Sequence, residues 1–488
     1  MPLEIAAVRA IVERACARPD VLDACRRRDL GTVIEILGSH GLTQGTMSSL
    51  TGITQGRLSQ YKNHKITPKA KTIFEDFAGG LRMPPAARLA LGLSADEATK
   101  PELGSPRSDV PSDIGADYPD APAEAAEVVT RLWQADLEGD RLLGTRLEPA
   151  AWKDASLRWL VDPEQRPDRE NASGARVGGA DIARFRATVE LFVQLDNRFG
   201  GGHARQALVQ YLHADASRLL RRRYSGDVGR ELYSATAEAT LLAAWMSYDS
   251  APGSALAQRY FIQALALAQA GDDRLLGASI LDAMSHQATY TGRFSEAANL
   301  ARAARAGTRG IATATLTSHF HAMEARALAR IGDAKGCDRA LAEAVTEFER
   351  RRPDEDPEWI RYFDEAELSA EISHCLRDLG RPGDASHHAS SSLTAVDDAT
   401  FVRSDFFVTM VLADAHLAAG EVEQACRVAL TALSAGEQIR SARCVGYLRE
   451  FRRHLAANGK NRVIIEFEEQ AIKSRLWRIS ARPVPTRG

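Results

Sequence analysis

The stretch richest in binding chemistry in this 488-residue chain runs from Gly41 to Pro68, GLTQGTMSSLTGITQGRLSQYKNHKITP. It lies within Ile36 to Phe74, a window without Asp or Glu, where Arg57, Lys62, Lys65, Lys69 and Lys71 add +5 and His40 and His64 lie nearby. Thr43 can cap a short helix over Gln44 to Thr51, Gly52 supplies a turn, and Thr54 can cap a second helix from Gln55 to about Asn63. Leu42, Met47, Leu50, Ile53, Leu58 and Tyr61 then face one core formed with Val33, Ile34, Leu37 and Phe74. Gln55, Gly56, Arg57, Ser59, Gln60, Lys62 and Asn63 are left for solvent or a ligand. Amide and guanidinium groups in a locally cationic window suit hydrogen bonding and attraction to a polyanion.

Sets that would support catalysis are weaker. Gly200 to His203 reads GGGH, too irregular for a phosphate loop and without a following Gly-Lys-Ser/Thr. His387 and His388 are adjacent, so on a helix they point in different directions and lack the i, i+4 spacing that favours zinc. Asp354, Glu355 and Asp356, between Pro353 and Pro357, read as a solvated loop. With no nucleophile and base in a common local context, the chain reads as a non-enzyme without metal or cofactor.

The elements that must position the basic window emerge from composition. Sixty-two Lys plus Arg against 65 Asp plus Glu give a net charge of −3, and 44% hydrophobic residues exclude wholesale disorder. Glu4, Arg9, Glu13 and Arg14 break any secretory core, and no stretch reaches the ~18 apolar residues of a membrane span, so a cytoplasmic address without membrane contact is expected. Cys16, Cys25, Cys337, Cys375, Cys426 and Cys444 are scattered and read as small apolar residues. From Ser94 to Ala125, eight acids face only Lys100 and Arg107, and five prolines intervene, the composition of a flexible linker.

From residue 126 to 475 the pattern is helical and repeats. A Gly or Pro at a helix break precedes small or apolar residues in five registers: Pro252/Ala257/Phe261/Ala264, Gly292/Ala297/Ala301/Ala304, Gly332/Cys337/Leu341/Ala344, Gly380/Ala385/Ala389/Ser392 and Gly420/Ala425/Ala429/Ala432. Successive registers are 40, 40, 48 and 40 residues apart, the longest interval carrying an insertion around RRRPDEDPEW. Each unit is a helical hairpin that buries its face only by stacking on neighbours. The expectation is therefore an all-α protein: an N-terminal DNA-binding domain over 1–93, an acidic linker over 94–125, an α-solenoid over 126–475 and a tail over 476–488.

Two resemblances sharpen this. Leu42, Thr43, Gln44 and Thr54 match the layout of the phage-repressor, xenobiotic-response-element-like helix-turn-helix family, and the resemblance covers about Asp29 to Leu93. In that family the second helix enters the major groove. The resemblance implies that Gln55, Gly56, Arg57 and Gln60 meet base edges, with Gln on adenine and Arg on guanine. Gly56 stands where the family carries a longer side chain, so readout there is lost or replaced by close backbone approach. Gln44, Thr54, Lys62, Asn63, Lys65 and Lys69 fall at phosphate positions. The hairpins resemble tetratricopeptide repeats, although the period is 40 rather than roughly 34. Mapped onto that pattern, Asp282, His286, Arg326, Arg330, His374, Arg377 and Asp414 turn towards the concave surface, a mixed-charge lining suited to a peptide, protein or small-molecule effector.

Segments such as NRFGGGHARQALVQYL and WIRYFDEAELSAEISHCLRDLG extend the likeness to an actinobacterial group of transcription regulators joining the two modules. The resemblance implies an operator-binding regulator of differentiation or secondary metabolism, working as a homodimer on double-stranded DNA. The alternative is a DNA-independent scaffold or adaptor.

Overall fold

Apolar and small residues recurring every three or four positions produce helices throughout, and no strand occurs among the described residues. The computed structural model describes residues 5–16, 18–51, 53–68, 71–81, 83–91, 93, 114–139, 146–161, 167, 175–251, 255–394, 401–459 and 461–481. The chain divides into two compact units, Met1–Asp109 and Val110–Gly488.

The first unit contains α1 (Ile5–Cys16), α2 (Pro19–Arg26), α3 (Leu30–Ser39), α4 (Gln44–Thr51), α5 (Gln55–Lys62), α6 (Lys71–Gly80) and α7 (Pro85–Ala90). Val33, Ile34, Leu37, Leu42, Met47, Ile53, Leu58, Tyr61 and Phe74 join one core, to which α1 and α2 add Val12 and Val21. Leu50, expected in that core, is 37% exposed. Thr51 takes the inward place one turn after Met47 and donates its hydroxyl to the Met47 carbonyl at 2.7 Å. Two glycines allow close helix contact. A Cβ at Gly31 would lie 2.4 Å from the Tyr61 carbonyl oxygen, and one at Gly80 would lie 2.3 Å from that of Leu50.

The second unit begins with α8 (Pro122–Leu137), α9 (Pro149–Val161) and α10 (Gly179–Phe199). A π-helical turn over Leu212–Ala216 then joins α11 (Arg205–Tyr211) to α12 (Ser217–Arg221). Antiparallel hairpins follow: α13 (Gly226–Ser250) with α14 (Ala255–Ala270), α15 (Arg274–Tyr290) with α16 (Phe294–Gly307), and α17 (Ala314–Ile331) with α18 (Ala334–Glu349). Next come α19 (Glu365–Asp378) with α20 (Pro382–Thr394) and α21 (Val402–Ala418) with α22 (Val422–Ala435). The chain closes with α23 (Ala442–Ala456), α24 (Arg462–Ala471) and α25 (Arg475–Ser480).

The sequence registers coincide with these hairpins. Gly292, Gly332, Gly380 and Gly420 occupy the turns with φ between 70° and 85°, the left-handed conformation that ends a helix most cheaply in glycine. The small residues after each glycine, from Ala297 to Ala432, are buried against the hairpin partner. Pro252 lies outside the described residues.

Three expectations are corrected. Of the expected linker 94–125, residues 94–113 lie outside the described residues, whereas 114–125 are packed: Ile114 and Tyr118 are buried, and α8 starts at Pro122. Its carbonyls are anchored, with Arg259 donating to Ile114 at 2.8 Å and Gln263 to Gly115 and Asp117 at 3.0 and 2.8 Å. The local acidity conceals two apolar anchors and three backbone acceptors. The tail expected from 476 begins as α25, with Leu476 and Trp477 in the core. Asp356, expected in a solvated loop, is buried and accepts the Thr315 hydroxyl at 2.6 Å.

The expected open concave surface is also revised. Helices α13, α15, α17, α19, α21 and α23 touch in succession, and α23 returns to α13. Their inner faces therefore surround a recess.

Candidate functional site

Two arrangements gather polar side chains. In the first unit, the Thr43 hydroxyl accepts from the Thr46 amide at 3.2 Å and the Thr54 hydroxyl from the Arg57 amide at 3.4 Å, so both threonines cap as their type and position dictate. Leu58 and Tyr61 pin one face of α5 to the core. The opposite face exposes Gln55, Gly56, Arg57 and Gln60, followed by Asn63 and Lys65, with Gln44 and Lys62 half-buried and Thr54 exposed at the helix start. Lys69 and Gly52 lie outside the described residues. A Cβ at Gly56 would meet open space, so packing does not require glycine there.

In the second unit the expected lining residues point to a common recess, but most already pair with one another. Asp282 on α15 bonds the His319 Nδ1 of α17 at 2.6 Å. His286 Nδ1 lies 3.1 Å from the Tyr248 hydroxyl of α13. Arg326 pairs with Glu371 of α19 at 2.5 Å. Arg377 bonds Asp378 at 2.7 Å and lies 3.8 Å from Asp414, which His454 meets at 3.2 Å. His374 faces the Tyr447 ring of α23 at 5.8 Å between centroids. Arg330 is the more peripheral member, with its guanidinium 5.3 Å from the Phe294 ring centre and 3.8 Å from Asp378.

Electrostatics divides this recess. Burial and then the charge of Arg326 hold His286 and His374 well below the ordinary histidine range, so both are neutral at pH 7. Burial raises the Asp282 carboxyl, and Asp282 in turn raises His319 against its own burial, so the pair holds a proton tightly. Burial and neighbouring Glu371 push Glu367 up to about 7. One end is therefore acid-rich, while Arg326, Arg377 and Arg443 converge at the other.

The most consequential residues were not singled out in the sequence. Asp249, fully buried at the end of α13, accepts from Ser441 at 2.7 Å, Arg443 at 2.8 Å and the Gly201 amide at 2.9 Å. Arg403 lies 2.7 Å from Asp196 on α10 and 3.8 Å from Asp249. Burial would raise the Asp249 carboxyl, but Arg443 and Arg403 hold it below its ordinary value. These pairings join the end of the helical row to its beginning. The i, i+4 spacing of Glu367 and Glu371 was a legible signal of a shared face; nothing local marks Asp249 and Arg443 as partners.

Among the described residues no helix is long and apolar enough to cross a membrane, and no group of three or more His, Cys, Asp or Glu is placed to hold a metal ion. Comparison with known protein families, with curated proteins and with solved structures finds no match.

Proposed function

We propose that the chain is a sequence-specific DNA-binding transcription regulator, a helix-turn-helix reader joined to a tetratricopeptide-like module that senses an effector or mediates self-association. The observation that carries this reading is the exposed, acid-free face of α5, with Gln55, Arg57 and Gln60 outward and Leu58 and Tyr61 fixed in the core. Such a helix presents side chains able to make bidentate hydrogen bonds to base edges, Arg57 as a double donor and each Gln as donor and acceptor, while Lys62 and Lys65 supply charge for phosphates. A head of this size covers one half-site, so a homodimer on half-sites about one helical turn apart is the corresponding assembly.

Selection of genomic duplexes by the full-length protein at low salt tests the proposal. A recurrent sequence is expected, and recovery without sequence preference would overturn it. Arg57→Ala should change the preferred base at one position at a cost of about 1–3 kcal/mol. Lys65→Ala should weaken all duplexes alike and reduce the salt slope by about one. Equal, sequence-blind losses in both variants would contradict the assigned orientation of α5.

Gly56→Ala gives an independent check. The added methyl meets open space and favours the helix by up to about 1 kcal/mol. If the glycine serves close backbone approach to DNA, operator affinity should fall while the melting temperature rises. A parallel gain in both would remove Gly56 from the contact surface.

A further inference from the structure

Helix α10 uses only one of its sides within the second unit. On that side Ile182, Phe185 and Val189 are buried, Arg186 meets Glu231 and Glu238 of α13 at 3.2 and 3.0 Å, and Asp196 meets Arg403 of α21 at 2.7 Å. Held this way against α13 and α21, the helix presents its other side as a rigid surface. Ala183, Arg184, Ala187, Glu190, Leu191 and Gln194 are all exposed there, and at about 100° per residue they fall in one strip centred on Ala187. A lone exposed leucine is ordinary on a protein surface; Leu191, 59% exposed, is distinguished by the residues around it.

Turned end for end about a two-fold axis at Ala187, the strip matches itself. Leu191, four residues beyond the axis, comes opposite Ala183, four before it, a large side chain over a small one. Arg184, three before, comes opposite Glu190, three beyond, and the symmetry makes both pairs twice. Arg184 can serve a second carboxylate: its side chain is 71% exposed and meets Asp181 at 2.6 Å through one nitrogen, while Asp181 also accepts the Gly178 amide at 3.1 Å. Glu190 meets no cation among the described residues. Other arrangements fail on charge. An axis at Leu191 sets Arg184 against Arg198, and a parallel pair sets Arg184 and Glu190 each beside its own copy.

We infer that the outward strip of α10 is a homodimer surface, on which a second copy of the chain packs its own α10 antiparallel about Ala187. The alanines at 183 and 187 let the two helix axes approach to about 8–9 Å. Leu191 of each copy then covers Ala183 of the other, and the Arg184–Glu190 pairs set direction and register. One helix pair buries less than the roughly 1,200–2,000 Å² of a standard interface, so the dimer is weak in free solution, and two heads on neighbouring half-sites reinforce it. The inference deepens the self-association part of the proposed regulator and rests on that reading for its role at the operator, whereas pairing itself requires no DNA.

Sedimentation equilibrium of the full-length chain without DNA tests the surface. A reversible monomer–dimer equilibrium is expected, with Kd on the order of 1–100 μM and weakening as salt is raised. Leu191→Glu should raise Kd at least about tenfold without lowering the melting temperature, because the side chain is exposed in the single chain. Arg184→Glu and Glu190→Arg should each raise Kd by about tenfold, whereas the doubly reversed variant should return to within about threefold of the parent. A monomer throughout at about 100 μM, a Kd unmoved by Leu191→Glu, or failure of the double reversal to restore pairing would overturn the inference. A gel shift separates this outcome from the regulator reading. If monomeric Leu191→Glu holds its operator as tightly as the parent, the surface stands and the homodimeric account of DNA binding falls; if the parent dimerises but selects no sequence, the regulator reading falls alone.

Discussion

Asp249→Ala is expected to lower the unfolding free energy of the second unit by about 3–5 kcal/mol, the usual consequence of removing one partner from a buried ion pair. The carboxylate is fully buried, and its removal strands Arg443, the Ser441 hydroxyl and the Gly201 amide together. Arg403 also loses one of its two nearby carboxylates. Urea unfolding of the full chain, followed by circular dichroism, measures the loss. Asp249→Asn should cost less, because the amide oxygen can still accept from Ser441. Combining Asp249→Ala with Arg443→Met should recover part of the loss by removing the orphaned charge, and an additive double variant would contradict the assigned coupling.

A second large effect concerns pH. Glu367 is raised from 4.5 to about 7 by burial and then by Glu371. A carboxyl that holds its proton more tightly when folded contributes stability fully below its unfolded value, and that contribution disappears as pH rises through the folded value. The interval from 4.5 to 7 corresponds to at most about 3 kcal/mol, lowered by the partial exposure of Glu367. His319 faces the same group and is also held above its ordinary value, so its contribution declines in the same direction. Asp364 adds negative charge, while Arg326 opposes the shift. The contribution of Glu367 and His319 should therefore fall between pH 5 and pH 8, while His286 and His374, held below the ordinary histidine value, contribute in the opposite direction. Glu367→Gln should flatten that fall and be more stable than the parent at pH 8; an identical slope in parent and variant would exclude Glu367 as its source.

Much of the local structure was legible in the sequence because its causes are local. Thr43 and Thr54 fix the beginnings of α4 and α5, and the glycines at 292, 332, 380 and 420 place four hairpin turns. The error at Leu50 was one of phase: residue 51, one turn after Met47, faces inward, although leucine is the more apolar choice. The linker expectation failed at its C-terminal end because average composition hid Ile114 and Tyr118 among acids, and because Arg259 and Gln263 complete their hydrogen bonds from 145 to 148 residues away. The recess residues were treated as free lining, whereas most of them are paired with one another. Their pairing depends on neighbouring helices, and the Asp249–Arg443 contact spans 194 residues without a local pattern to announce it.

The return of α23 to α13 also limits how this architecture can vary. An open array of stacked repeats can gain or lose one member with consequences confined to its neighbours. A closed row has a fixed census: an added hairpin would carry Ser441 and Arg443 away from Asp249, and a deleted one would force the two ends past each other. Length change by repeat duplication is therefore blocked unless the seam is remade at the same time. Insertions that respect the closure must enter between helices, as the segment around Pro353 to Phe363 does between α18 and α19, adding two short turns and the buried Asp356, Ile360 and Phe363 without changing the number of members in the row.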